Sequence, residues 1–157
     1  MDRRAYQEVA IKQGRDLRSW EFYRPAIEAD RFINIPVAKD HSISNLTLAM
    51  KNIMGVIGGN RGRLHRNIGE SVTDINMVVH SDLTIVDATR ILLRNGPQGG
   101  SLRDVEWRNT LIASSDIVAA DSVAATLFGY EPEDIPTVVS GAKRGLGVMD
   151  LKRMQMV

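Results

Sequence analysis

The chain contains no cysteine. That excludes disulfides, thiolate catalysis and any iron–sulfur cluster or zinc ion held by cysteine. Aromatic residues make up 5% of the sequence, too few to interleave a basic surface with stacking platforms for nucleic acid. Net charge is +1, so no overall field of one sign draws in nucleic acid or an acidic surface. Apolar runs such as residues 117–120 are only a few residues long, whereas a bilayer span needs about 20. No apolar stretch of signal-peptide length follows residues 1–8, so no leader is visible and a cytoplasmic location is expected. Internal repeats, low-complexity blocks, a P-loop and a nucleophile elbow are also missing.

What is present has ordinary globular composition, 43% hydrophobic and 25% charged over 157 residues. One domain is the default at that length, because single domains run to roughly 100–200 residues. Residues 4–13 read as a short helix ending at Gly14, and residues 17–23 as a strand. Residues 31–37 read as a strand stopped near Pro36, followed by a polar loop over 38–44. Leu46, Ala49, Met50, Ile53, Met54 and Ile57 then recur at helical spacing, with Ser44 or Asn45 as N-cap and Gly58-Gly59 as the stop. Asn67-Ile68-Gly69-Glu70 reads as a capping box opening a helix to about Val79.

Residues 83–86 form a strand ending at Asp87, and residues 107–113 form another. Ser114-Ser115-Asp116 caps a helix to Phe128, closed by Gly129. A helix over 137–144, stopped by Gly145, and a last strand over 146–151 complete the chain. Strands that alternate with helices in this way predict an α/β fold. The expectation is a mostly parallel sheet of about four to five strands with helices packed on its faces.

In open parallel sheets, ligands bind beyond the carboxyl ends of the strands. Three polar groups fall at such positions: Lys39-Asp40-His41, Asp87, and Ser114-Ser115-Asp116. Charge points to the same region. Between Lys39 and Arg66 stand five basic residues (Lys39, Lys51, Arg61, Arg63, Arg66) and one acid, Asp40, a local charge of +4. His41 and His65 lie in the same window. Arginine forks suit phosphate or carboxylate, and Gly62 lets backbone approach a ligand. A helix of about 12 residues is ~18 Å long, so only a folded-back loop brings Arg63 and His65 to Lys39.

Each of these residues also has a plainer reading. Lys39 and the arginines can be solvated loop charges, Lys51 and Asn52 an exposed helix face, and Asp87 and Asp116 simple caps. His41 and His65 stand 24 positions apart, which matches no compact metal-ligand spacing, and no metal site is assigned. His80 reads as surface. Asp121 sits among Val118, Ala119, Ala120, Val123 and Ala124; if buried it needs a partner, such as one of the basic residues. Asn95-Gly96-Pro97-Gln98-Gly99-Gly100 lacks the Gly-x-Gly-x-x-Gly order, so the dinucleotide fingerprint fails.

Several blocks carry a resemblance. They are residues 29–36, Lys39-Asp40-His41, residues 46–55, Arg63-Leu64-His65, Ile85-Val86-Asp87, Asn95-Gly96-Pro97 with Gly99-Gly100, Ala113-Ser114-Ser115-Asp116, and residues 119–125. In this order and spacing the chain resembles the uncharacterised proteins catalogued as domain of unknown function 362, over about residues 29 to 150. The family's usual Lys-Thr-His is Lys-Asp-His here, which sets a negative charge beside the cations. The resemblance implies that residues 1–157 are a single domain, the later part of a larger family domain. It also implies a redox-associated or cofactor-handling role. Many relatives carry cysteine-ligated iron–sulfur segments and some carry twin-arginine export leaders; this chain is expected to hold no cluster of its own.

The reading is therefore a binding module for a small anionic ligand or redox cofactor, acting in redox-associated metabolism. Lys39, His41, Lys51, Asn52, Arg61, Arg63 and His65 would hold it, with Asp87 and Asp116 shaping the site. Which cofactor, and which residues would be catalytic, the sequence leaves open. Two alternatives stand beside it. One is an enzyme in which His41 or His65 works with a carboxylate (Asp87 or Asp121) or a metal. The other is an assembly subunit that completes its sheet with another chain or a second copy. Neither nucleic acid nor a membrane span is expected.

Overall fold

The computed structural model describes residues 3–98 and 100–157. Met1 and Asp2, part of the leader reading, and Gly99, part of the Asn95–Gly100 loop and of the family blocks, lie outside the described residues. The chain opens with an antiparallel hairpin of β1 (Tyr6–Ala10) and β2 (Ser19–Tyr23), followed by a short α1 (Arg24–Glu28). The helix expected over residues 4–13 is thus a strand. Its backbone N–H and C=O groups find partners in β2, from Tyr6 opposite Tyr23 to Ala10 opposite Ser19. Nonlocal pairing of this kind overrides local preference.

The main sheet has five strands. β3 (Ile33–Asn34) and β4 (Val37–His41) lie end to end along β6 (Leu83–Leu92), both parallel to it. Pro36 separates them, having no N–H to give to the ladder, while its carbonyl still accepts from Asp87 N at 2.8 Å. β5 (Asn45–Thr47) pairs antiparallel with β4, and β7 (Val105–Ser114) pairs antiparallel with β6. The α/β class and the strand number hold. The parallel pairing is confined to the β3/β4–β6 seam, and both outer strands run the other way. No strand forms over residues 146–151; that stretch is anchored by Val148 N donating to Asp116 Oδ2 at 2.8 Å and ends in a 3-10 turn.

The long helix expected over residues 46–57 is divided. Residues 45–47 are drawn to the edge of β4, and only α2 (Ala49–Asn52) with a following 3-10 turn (Ile53–Val56) remains helical. The apolar face survives the change: Leu46, Met50, Ile53 and Ile57 are all buried. α3 (Ile68–Asn76), α4 (Ile117–Thr126) and α5 (Pro136–Lys143) complete the helical layer. Asp116 caps α4, accepting from Ala119 N at 2.8 Å. Asn67 does not form the expected capping box at α3. Gly69 lets α3 approach α5, since a Cβ there would stand 2.8 Å from Pro136 O.

One continuous core joins the helices to the inner sheet face through Val72, Ile75, Val86, Ile91, Val118, Ala124 and Val138. Phe22 and Ile11 bring the hairpin into it. A polar knot fixes the hairpin's turn. Asp74, fully buried on α3, accepts from the backbone N–H groups of Arg15 (3.0 Å), Asp16 (2.8 Å) and Leu17 (2.7 Å) and from Arg144 Nη1 (2.6 Å). Arg144 also donates to Gln13 O at 2.7 Å.

The helices cover one sheet face rather than both. On the other, strand alternation sets out Ile33, Ile35, Val37 and Leu111, each at least half exposed. The register agrees, with Val37 opposite Asp87 and Asp87 opposite Leu111.

Candidate functional site

Lys39 and His41 sit on β4, in a strand rather than in the polar loop expected there. The antiparallel register places Thr47 of β5 opposite Lys39. One turn later α2 carries Lys51, whose Nζ lies 3.5 Å from Thr47 Oγ1. The basic loop folds back as a 3-10 coil over Arg61–Asn67, pinned by Leu64, which is buried. That coil delivers His65 to His41: the rings stack with centroids 5.4 Å apart and planes 15° apart.

The His41 ring is oriented by its own turn. Nδ1 accepts from Ile43 N at 3.1 Å and from Ser44 N at 3.4 Å. A ring nitrogen that accepts carries no proton, so the neutral ring holds its hydrogen on Nε2. Burial, then the charges of Lys51 and His65, push its pKa down to about 4, against a smaller pull from Asp40. At neutral pH His41 is therefore an uncharged N–H donor. In this tautomer Nε2 has no free lone pair for a metal ion or for a proton.

Burial also lowers Lys51, with Lys39 adding like-charge repulsion, to a pKa of about 8. Among the described residues neither Lys39 nor Lys51 forms a salt bridge. The Asp40 carboxylate is engaged elsewhere, with Oδ2 accepting from Gly96 N at 3.0 Å. Asp40 thus tethers the chain at Gly96.

The structure brings Lys39, His41, Lys51 and His65 together and separates the other candidates from them. Asp87 lies inside β6, five residues before its end, and accepts from Thr89 N at 2.9 Å and Thr89 Oγ1 at 2.7 Å. Those two bonds, the hydroxyl's first, hold its carboxyl below the usual range. Asp116 is at the far end of the sheet. Ser114 pairs with Thr84 at the start of β6, whereas Lys39 pairs with Leu92 at its end. Eight strand residues at about 3.3 Å each put roughly 25 Å between them. The expected common rim fails because β7 runs antiparallel to β6.

Asn52 Nδ2 donates to Asn34 Oδ1 at 2.8 Å, tying α2 to β3. Arg61 reaches Met54 O at 3.4 Å. Arg63 lines a separate groove of about 400 Å³ with Glu8, Asp16, Arg18 and Trp20. Asp121 is fully buried and, among the described residues, pairs with no basic residue; its oxygens accept from Ala49 N at 2.7 Å and Met50 N at 2.9 Å. It caps α2 from across the core, a role that no sequence spacing signals. Among the described residues no group of three His, Asp or Glu side chains is placed to hold a metal ion. No helix of the described residues is long and apolar enough to cross a membrane.

Comparison with known proteins follows the residue blocks. The profile of the family described as "Domain of unknown function (DUF362)" matches residues 1–126, starting earlier than the block at Ala29 and stopping short of residue 150. A thylakoid-associated protein of Synechocystis sp. is 30% identical over 131 residues, covering 78% of this chain. The chain spans about 40% of the length of that relative. No solved structure matches.

Proposed function

Because the chain belongs to the DUF362 family, whose members are described only as a domain of unknown function, we propose a role for it from its own residues: binding a small anionic ligand at Lys39, Lys51, His41 and His65. One observation carries the reading: two neighbouring lysines without a carboxylate partner among the described residues, set against a buried imidazole that presents an N–H. The desolvated Lys51 charge is repelled by Lys39, and a bound oxyanion would relieve that repulsion while accepting the Nε2 hydrogen. Binding is favoured over acid–base catalysis because, among the described residues, neither histidine is hydrogen-bonded to a carboxylate that would orient it and His41 stays neutral and proton-bearing at Nε2. A redox cofactor with an anionic tail would fit the same chemistry; the redox-associated setting comes from the resemblance alone. The cytoplasmic location stays part of the proposal, and fractionation of cells expressing the tagged protein tests it.

Sulfate is a suitable probe because its charge is constant over the useful pH range. Lys51→Met is expected to weaken sulfate binding about tenfold or more, the worth of one hydrogen bond to a charged group. Isothermal calorimetry reads this directly. No binding by the unaltered protein, or equal affinity in the variant, would remove the proposal. One limb of the pH profile follows from the Lys51 shift: affinity should fall as pH rises through about 8, where Lys51 loses its charge.

A second reading, self-association, is favoured by the uncovered sheet face of Ile33, Ile35, Val37 and Leu111. Apolar patches of this kind mark interaction surfaces in soluble proteins. Sedimentation should show dimers that Val37→Lys with Leu111→Lys converts to monomers; a monomer at high concentration in the unaltered protein ends this reading.

A further inference from the structure

We infer that the bound ligand carries two anionic groups, the second lying between α3 and α5 beside Arg66 and Lys143. This rests on the anion-binding reading above. His65 is the hinge of the argument. Its ring stacks on His41, and it also lines a groove of about 480 Å³ with Ile43, Arg66, Ser140 and Lys143. His65 thus links the groove to the His41 end of the lysine cluster.

Its charge is positive. Arg66 and Lys143 are both exposed, and neither forms a salt bridge among the described residues. The acid lining it is Glu70, whose Oε2 already accepts from Arg144 Nη1 at 3.0 Å. The first turn of the nine-residue α3 borders the groove. Its N-cap Asn67 makes no side-chain capping bond and donates instead to Asp16 Oδ1 at 3.2 Å. The positive end of a helix favours negative charge nearby. Independently of these charges, Ser140 is 5% exposed and its hydroxyl has no hydrogen-bond partner among the described residues. Buried hydroxyls are partnered as a rule, and Ser140 lies on the same groove.

A single tetrahedral oxyanion at the lysines leaves the Arg66–Lys143 groove unused. A ligand with a second phosphate-like group would engage both, with His65 between them. Diphosphates have this chemistry, whether inorganic pyrophosphate or the diphosphate of a nucleotide.

The test is calorimetry of the full chain at pH 7 and fixed ionic strength with orthophosphate, pyrophosphate and ADP. Pyrophosphate is expected to bind at least tenfold more tightly than orthophosphate. The double variant Arg66→Ala/Lys143→Ala should lose most of that advantage and lower orthophosphate affinity by much less. Lys51→Met should weaken both ligands. Both substituted groove residues are exposed, so the fold should persist, and a melting curve checks it. ADP matching pyrophosphate supports an organic diphosphate; ADP binding no better than orthophosphate restricts the support to the inorganic ion. If orthophosphate and pyrophosphate bind equally, or the advantage survives the double substitution, the two-group inference is overturned while the anion site stands. If no anion binds, the anion site falls and the inference with it.

Discussion

Replacing Asp74 with Ala is expected to cost about 3–5 kcal/mol, the range for removing one partner of a buried ion pair. At roughly 2–4 °C per kcal/mol for a chain of this size, the thermal midpoint should drop by about 10 °C. Asp74 has no exposed surface and serves four donors, three of them backbone N–H groups of the hairpin turn. Taking it away leaves those groups without a partner and deprives the Arg144 guanidinium, itself 3% exposed, of its shorter ion pair, leaving it Glu70 at 3.0 Å. Arg144→Met should cost less, because Asp74 keeps its three backbone donors. The double variant should be little worse than Asp74→Ala alone, since the Asp74–Arg144 pair is already lost in the single variant. Burial would by itself raise the Asp74 carboxyl, but the N–H groups of Leu17, Arg15 and Asp16 with Arg144 hold it below its usual value. The sign follows: this contribution is present above the ordinary carboxylate pKa and is lost on acidification. Thermal denaturation between pH 3 and 7 measures it. A drop of only a degree or two in Asp74→Ala would mean that the knot does not hold the hairpin.

Asp121 should act in the opposite direction. Its burial raises the carboxyl to about 7, against the pull of the Met50 and Ala49 N–H groups. Between the ordinary carboxylate pKa and about 7 the folded protein holds a proton that the unfolded chain releases, so this group makes stability fall as pH rises. His41 has the reverse sign. Its folded pKa of about 4 lies below the unfolded value, so between about 4 and 6.5 it makes stability rise with pH. The two slopes oppose each other over the same window, and the unaltered protein should have a nearly flat profile there. Asp121→Asn should unmask the rising slope, and His41→Gln the falling one. Urea denaturation at pH 4.5, 5.5 and 6.5 resolves this. Parallel profiles for all three proteins would refute the assignment.

Asp121→Ala goes further than the amide. It leaves the Ala49 and Met50 N–H groups buried without acceptors, at about 1–3 kcal/mol each. It also releases the start of α2, the element that carries Lys51. Sulfate affinity should therefore fall in this variant although Asp121 touches no ligand. Asp121→Asn, which keeps one acceptor oxygen, should retain more of it.

Much of the helical layer was legible from periodicity and caps. Asp116 before α4 and the apolar face of Leu46, Met50, Ile53 and Ile57 are local signals, and they appear where the spacing puts them. The stretches misread were those whose partners are distant. Residues 6–10 and 45–47 form strands because β2 and β4 complete their ladders. A residue's own neighbours carry no trace of a strand that far away. The candidate site divides in the same way. Lys39 and His41 are adjacent in sequence to a visible strand, whereas Asp87 and Asp116 would join them only if β4, β6 and β7 ended together in parallel, and β7 runs the other way.

By itself the sequence determined the absence of cysteine chemistry, the α/β class, the local excess of positive charge and the family blocks, because composition, periodicity and motif order are properties of the chain read in one dimension. The tertiary structure alone decided that His65 meets His41 while Arg63 turns to another groove, that Asp121 caps a helix across the core, and that Ile33, Ile35, Val37 and Leu111 stand exposed on one sheet face. The reason is physical. A loop's path and a strand's direction are fixed by the burial of groups such as Leu64 and by hydrogen-bond partners many residues away.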